Sequence, residues 1–333
     1  MDMLFVGDVM LGRLVNEYLK TAPAAAPWGD TLPLFRSVDV RIANLECVIA
    51  DSGKQWKPQE KRFHFRTDAK NVRTLLAAGI NCVSLANNHT LDYGYGAMRE
   101  MLAILDEAGI HRAGAGSSLD EAAKPAIFQI AGMRIGCISF TDNQPDWAAG
   151  EKQAGVYYMP TDMNDARTRD LLEQIERTRP LVDVLIVCAH WGPNWGRRPR
   201  PAHVQLAHAL VDHGADIIFG HSCHVFQGIE FYRDRPILYS CGDFVDDYRI
   251  DPQQRNDQSF VFVVEVQDHQ PVRLRLYPIV IERFQARHAC NSDTYAIVEL
   301  MQSLCAEFGT VATWHEEARV LRVTGGEGSI QSS

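Results

Sequence analysis

The stretch SLANNHTLDYG, Ser84 to Gly94, places two carboxamides, an imidazole and a carboxylate (Asn87, Asn88, His89 and Asp92) at the end of an apolar run, Ile80 to Leu85. A carboxamide oxygen can hold a cation. An imidazole with a carboxylate on its far nitrogen is an oriented acid–base group. Similar residues recur where other apolar runs stop. LFVGD ends at Asp8, RIANLE with Asn44 and Glu46, and VLIVCAH at His190. IIFGHSCH ends with His221 and His224, and LYSCGD with Gly242 and Asp243. Carboxylate and imidazole ligands suit Zn, Mn or Fe. A shared carboxylate with His and Asn ligands would support two ions ~3.5–4 Å apart, the arrangement used for phosphoester hydrolysis. A structural zinc site would be closed and richer in Cys. Singly, each residue has a plainer use: Asp8 would cap a helix starting near Leu11, and Asn44 would close a turn. Convergence on one edge is what would make them a site.

That convergence depends on the elements. MLFVG, VDVRIAN, INCVSLA, MRIGCISF, DVLIVCAH, ADIIFGH and PILYSCG read as strands. Between them Asp68 to Ala78, Gly96 to Ala108, Met163 to Arg177 and Pro201 to His213 carry helical spacing. Thr161-Asp162 is a candidate cap for the third helix, and Pro201 suits the first turn of the fourth. Alternating strands and helices predict an α/β layered fold. Strands apolar throughout predict a sheet covered on both faces. The carboxyl ends of such strands are where ligands bind. After Gln258, SFVFVVEVQDHQPVRLRLYPIVIE predicts two long antiparallel strands around a turn at Asp268 to Pro271. A helix over Asp293 to Phe308 and a last strand pair follow. No repeat or linker interrupts the pattern, so residues 1–324 read as one domain and residues 325–333 as a disordered tail.

With 46% apolar and 23% charged residues among 333, the chain has a soluble globular profile. A net charge of −9 without a basic stripe argues against nucleic acid. No run reaches the ~18–20 apolar residues of a membrane span, and MDMLFVGDVMLGR lacks the form of a secretory signal. A cytoplasmic location is the expectation. The eight cysteines form no CxxC pair and read as buried, reduced thiols. Cys223, between His221 and His224, is the one placed to offer a soft ligand.

GDVMLGR, ANLEC, SLANNHTLDYG, AHWG, GHSCHVFQGIE and YSCGDFVDD, in this order, resemble the CapA family of poly-γ-glutamate capsule biosynthesis proteins. That family is related to the calcineurin-like metallophosphatases. The motifs span about three quarters of the chain, Gly7 to Asp247. The resemblance implies a metallophosphatase-like four-layer α-β-β-α sandwich. It implies Asp8, Glu46, Asn88, His190, His221 and His224 as metal ligands, with Glu46 in the bridging place. It also implies His89, oriented by Asp92, as the catalytic acid or transition-state stabiliser. Four departures from the family pattern stand out. Met10 occupies a position where the superfamily usually has a ligand His, Ser222-Cys223 interrupts the final His motif, and Asn194 and Asp243 replace a common Glu and Asn.

The expected function is a metal-dependent hydrolase acting on an anionic substrate, a phosphoester or a γ-glutamyl-type amide. Asn44, Arg197, Arg198 and Asp243 are the expected substrate-binding groups, since arginine forks suit carboxylate and phosphate. One or two of Trp28, Trp56, Trp191 and Trp195 are expected to wall the pocket. The alternative is a non-catalytic accessory protein of polyglutamate or peptide assembly with a biosynthetic protein partner.

Overall fold

A computed structural model of the chain describes residues 1–57 and 61–326. The larger sheet is built on Asp2–Val9 (β1), Val40–Leu45 (β2), Cys82–Ser84 (β3) and His111–Ala113 (β4), parallel and in that order. The smaller has Ala126–Ile130 (β5), Met133–Thr141 (β6), Val184–His190 (β7), Ile217–His221 (β8), Ile229–Tyr232 (β9) and Arg235–Leu238 (β10) in the order β9-β10-β8-β7-β6-β5. Asp243–Val245 (β11) returns to pair with β1. Gln258–Gln267 (β12) and Gln270–Glu282 (β13) form the predicted long hairpin, and β12 also pairs antiparallel with β1. The hairpin turn is tighter than the sequence suggests. Asp268 and His269 alone make it, both at positive φ, and Pro271 already lies in β13. Gln285–His288 (β14) pairs with β13, and the closing pair Val311–His315 (β15) and Val320–Thr324 (β16) completes the sheet.

Period-two alternation sorts the side chains of these strands. Met3, Phe5, Ile42 and Cys82 of the larger sheet pack against Cys137, Ile186, Cys188 and Phe219 of the smaller. The Phe5 and Phe219 rings meet at 5.2 Å. Leu4, Val6, Ala43 and Val83 face the other way, onto Leu75 of Val72–Ala78 (α3) and Met98, Met101 and Leu105 of Gly94–Glu107 (α4). Ile138, Phe140, Leu185 and Val187 cover Leu171 and Ile175 of Ala166–Thr178 (α6), and Leu206 and Leu210 of Pro201–Asp212 (α7). This is the expected four-layer α-β-β-α arrangement. The short helices Arg13–Tyr18 (α1), Leu32–Arg36 (α2) and Leu119–Ala123 (α5) and the long Asn291–Ala306 (α8) complete the α-helices of the described residues.

Two local expectations need correction. Asp165, not Thr161-Asp162, caps α6, its side chain accepting from Arg167 N, and Thr161 instead donates to Asp142. Helix α1 starts at Arg13 behind Gly12, so Asp8 caps nothing. Pro201 does open α7. The tail expected from 325 to 333 lies, beyond Gly326, outside the described residues.

Candidate metal centre

Strand register brings the polar ends together. In the larger sheet Asp8 aligns with Asn44 on one side and with Asp243 on the other, and Asn44 aligns with Ser84. In the smaller sheet Thr141, His190 and His221 align. Crossing so near β11 demands glycine at the bend of β1: a Cβ on Gly7 would lie 1.9 Å from Gly242 O. Gly242 itself has φ +65°.

Among the described residues, two groups of side chains could hold a metal ion: Asp8, His190 and His221, and Asp8, Glu46, His224 and Asp243. Within each group, ligand atoms lie within 4.8 Å of one another. Asp8 belongs to both groups, and Glu46 to the second alone. Asn88 adjoins the first group, its Oδ1 3.0 Å from His190 Nε2. The two imidazoles of that group approach to 2.8 Å between their Nδ1 atoms. His224 Nδ1 lies 2.9 Å from Asp243 Oδ1, and Tyr248 donates to Glu46 Oε2 at 3.2 Å.

The donor chemistry fits a cation. Asp8 Oδ2, Asp243 Oδ2 and His221 Nε2 are buried polar atoms without a hydrogen-bond partner, a costly condition that a cation would relieve. Burial pushes Asp8 up to about 6 and Glu46 and Asp243 well above the usual carboxylate range, with the neighbouring carboxylates adding to it. Burial also holds His221 down at about 3 and His190 well below its ordinary value. Neutral imidazoles beside crowded carboxylates are what a metal site presents before binding.

His89 and Asp92 sit at the edge of this centre. His89 Nδ1 is 2.5 Å from Asp92 Oδ2, and its Nε2 is 3.9 Å from Glu46 Oε1. The ring stacks on Phe65 at 3.9 Å. Burial, against the pull of Asp92, lowers His89 to about 4. Burial would raise Asp92, but His89 and Lys61 more than offset it, and the carboxyl stays below its ordinary value. Asn87 is scaffold. It donates to Asn44 Oδ1 and Leu45 O and accepts from His89 N and Thr90 Oγ1. Asn44 in turn donates to Asp8 Oδ1 at 2.7 Å.

A cavity of about 400 Å³ opens above His89, Asn88 and His224. Its cationic wall is Arg13, Lys61, Arg62 and Arg249, and among the described residues no carboxylate lines it. The four residues expected to bind substrate are not among this lining. Arg197 donates to Phe226 O and Gln254 O and lies over the Phe226 ring. Arg198 makes a paired contact with Glu307. Asn44 and Asp243 are wholly buried beneath the floor. Of the four tryptophans only Trp195, 44% exposed, lines this cavity. Cys223 Sγ points to Gly196 O at 3.2 Å and belongs to neither ligand group. Met10 Sδ accepts from Gly12 N, also outside both. Lys61, Arg62, Arg13, Tyr248 and Arg249 are the residues that sequence reasoning missed. The run KRFHFR, Lys61 to Arg66, is the one visible signal for Lys61 and Arg62, basic residues interleaved with aromatic ones; Arg13, Tyr248 and Arg249 lie outside it.

The model of the family described as "Bacterial capsule synthesis protein PGA_cap" matches residues 2–248, and the chain belongs to that family. A protein of Mycobacterium tuberculosis named "Probable polyglutamine synthesis accessory protein" is 31% identical, with 92% of this chain and 91% of the relative covered. The PGA biosynthesis protein CapA of Bacillus subtilis is 33% identical over 73% of this chain, which spans 62% of that protein. A hypothetical protein from Thermus thermophilus, 18% identical, shares the fold at a TM-score of 0.52, over 85% of this chain and all of that one. No helix among the described residues is long and apolar enough to cross a membrane.

Proposed function

We propose that the protein is a metal-dependent hydrolase of anionic substrates. The supporting observation is the shared Asp8 between two groups of buried donors, beside an oriented His89–Asp92 pair on the floor of a cation-walled cavity. Asp8, Glu46, Asn88, His190, His221, His224 and Asp243 would hold one or two ions of Mn, Fe or Zn. Asp243 would make good the ligand lost at Met10. When bound, the metal supplies Lewis acidity and a water of lowered pKa. The protein's own part is positional and protonic. Asp92 accepts a hydrogen bond from the Nδ1–H of His89, which leaves Nε2 as the working nitrogen facing the cavity. A neutral ring at that place accepts a proton at Nε2 and returns it to the leaving group. Arg13, Arg62 and Arg249 draw an anionic substrate into an otherwise acidic molecule.

In this reading residues 1–324 act as one unit. The eight unpaired cysteines are in keeping with a reducing compartment, hence the cytoplasm. A phosphoester or a γ-glutamyl amide is the substrate class, in a polyglutamate-related role with a biosynthetic protein partner. The second reading, a non-catalytic accessory protein, draws on the name of the mycobacterial relative and on Met10 and Cys223, which stand apart from both donor groups. Turnover of p-nitrophenyl phosphate, bis-p-nitrophenyl phosphate and γ-glutamyl p-nitroanilide with added Mn, Fe(II) or Zn separates the two. Hydrolysis lost in a folded His89→Ala variant supports the hydrolase. No turnover of any of the three by metal-loaded protein favours the accessory role.

A further inference from the structure

We propose that Lys61 is a positioning residue that locks the acid–base pair to the metal-ligand loop, so that Lys61, Asp92 and His89 act as one unit. This rests on the hydrolase reading for its purpose, though not for its geometry. Lysine is rarely buried without partners. The Lys61 side chain is only 12% exposed, and its ammonium sits among specific ones. Nζ bonds Asp92 Oδ1 and the backbone carbonyl of Asn88, lies 3.4 Å from His89 Nδ1, and stands 4.4 Å from the centre of the Trp147 ring. Two oxygens and an aromatic face thus replace its water.

The arrangement divides the Asp92 carboxylate. Oδ1 takes Lys61, while Oδ2 takes His89 Nδ1 at 2.5 Å and Phe65 N at 2.7 Å. Rotation of the carboxylate would break contacts at both oxygens, so its aim at Nδ1 is fixed. The same ammonium holds the Asn88 peptide, whose side chain reaches His190. One cation therefore sets the direction of the His89 ring and the placement of the neighbouring candidate ligand. Phe65 on the ring face completes the clamp.

Histidine-selective ¹⁵N labelling tests this without needing a substrate. The His89 signals are identified among the 12 histidines by their loss in His89→Gln. The wild type should show a single Nδ1–H tautomer with a strongly downfield Nδ1 proton. In Lys61→Met that proton signal should broaden or vanish and the tautomers mix, and Lys61→Arg should restore part of it. On bis-p-nitrophenyl phosphate, kcat should fall ~10–100-fold in Lys61→Met, with KM within about threefold of the wild type. Unchanged His89 signals in folded Lys61→Met overturn the proposal, as does a raised KM with kcat intact, which would make Lys61 a substrate-binding group instead. If Lys61→Met does not fold, Lys61→Gln is read by the same criteria. A wild type without turnover but with a Lys61-dependent tautomer sinks the hydrolase reading and supports the positioning role.

Discussion

The floor and the wall of the cavity are built differently. Beneath and behind the floor lie strand ends, where Asp8, Asn44, Asp243, His190 and His221 are placed by register between neighbouring strands. The wall consists of connecting segments. Lys61, Arg62, Tyr248 and Arg249 lie outside regular strands and helices, and Arg13 sits at the start of α1 with φ +52°. Register fixes the floor through the whole sheet, so it can hold crowded carboxylates and imidazoles at close range. The wall is held by individual side-chain contacts, such as Arg13 to Asp247 at 3.2 Å. In the proposed reading, metal chemistry would belong to the floor, and substrate choice to the arginines of the wall.

The sharpest break in that comparison is at the residue common to both donor groups. Asp8→Asn should empty both places, with bound metal and turnover falling to background. His89→Ala should leave the metal in place and cost ~10²–10⁴-fold in kcat, read by paired kinetics and elemental analysis. Removing a donor from one group alone sharpens the picture further. Asp243→Asn and His221→Ala should each cost about one metal equivalent and spare the other, with the lost ion differing between them.

The pH dependence of metal binding follows from the burial shifts. Asp8 titrates at about 6 and must shed its proton to bind a cation. Affinity should therefore rise with pH up to about 6, after which Asp8 adds no further slope. His221, at about 3, has already lost its proton and does not compete above that pH. Glu46 and Asp243, held well above the usual carboxylate range, continue the proton release at higher pH. Isothermal titration in buffers of different ionisation enthalpy counts these protons. The smallest effect is expected at Arg198→Ala. Its pair with Glu307 is largely exposed, 70% on the arginine side, so stability should change by at most ~1 kcal/mol and turnover not at all.

The floor was legible in the sequence because each candidate ligand closed an apolar strand, and alternation of strands and helices directs such ends to one edge. The four-layer fold was legible for the same reason, since the central strands are apolar on both faces. Side-chain direction in loops was not. GRRPRP advertised charge without aim, and Arg198 finds its partner at Glu307, over a hundred residues away. The aim of Lys61 was not legible because its partners, Asp92 and Asn88, become neighbours only in the folded chain. The membership of Asp8 in both donor groups also depends on strand pairing, through the Asp8–Asp243 register that no local pattern announces.

The most direct test is the metal stoichiometry of the full chain, purified without chelators or a metal-binding tag and then offered Mn, Fe(II) or Zn, beside Asp8→Asn treated alike. The expected result is up to two equivalents in the wild type and essentially none in the variant. Wild-type protein that retains no metal, or an Asp8→Asn variant that holds as much as the wild type, would contradict a centre built around Asp8.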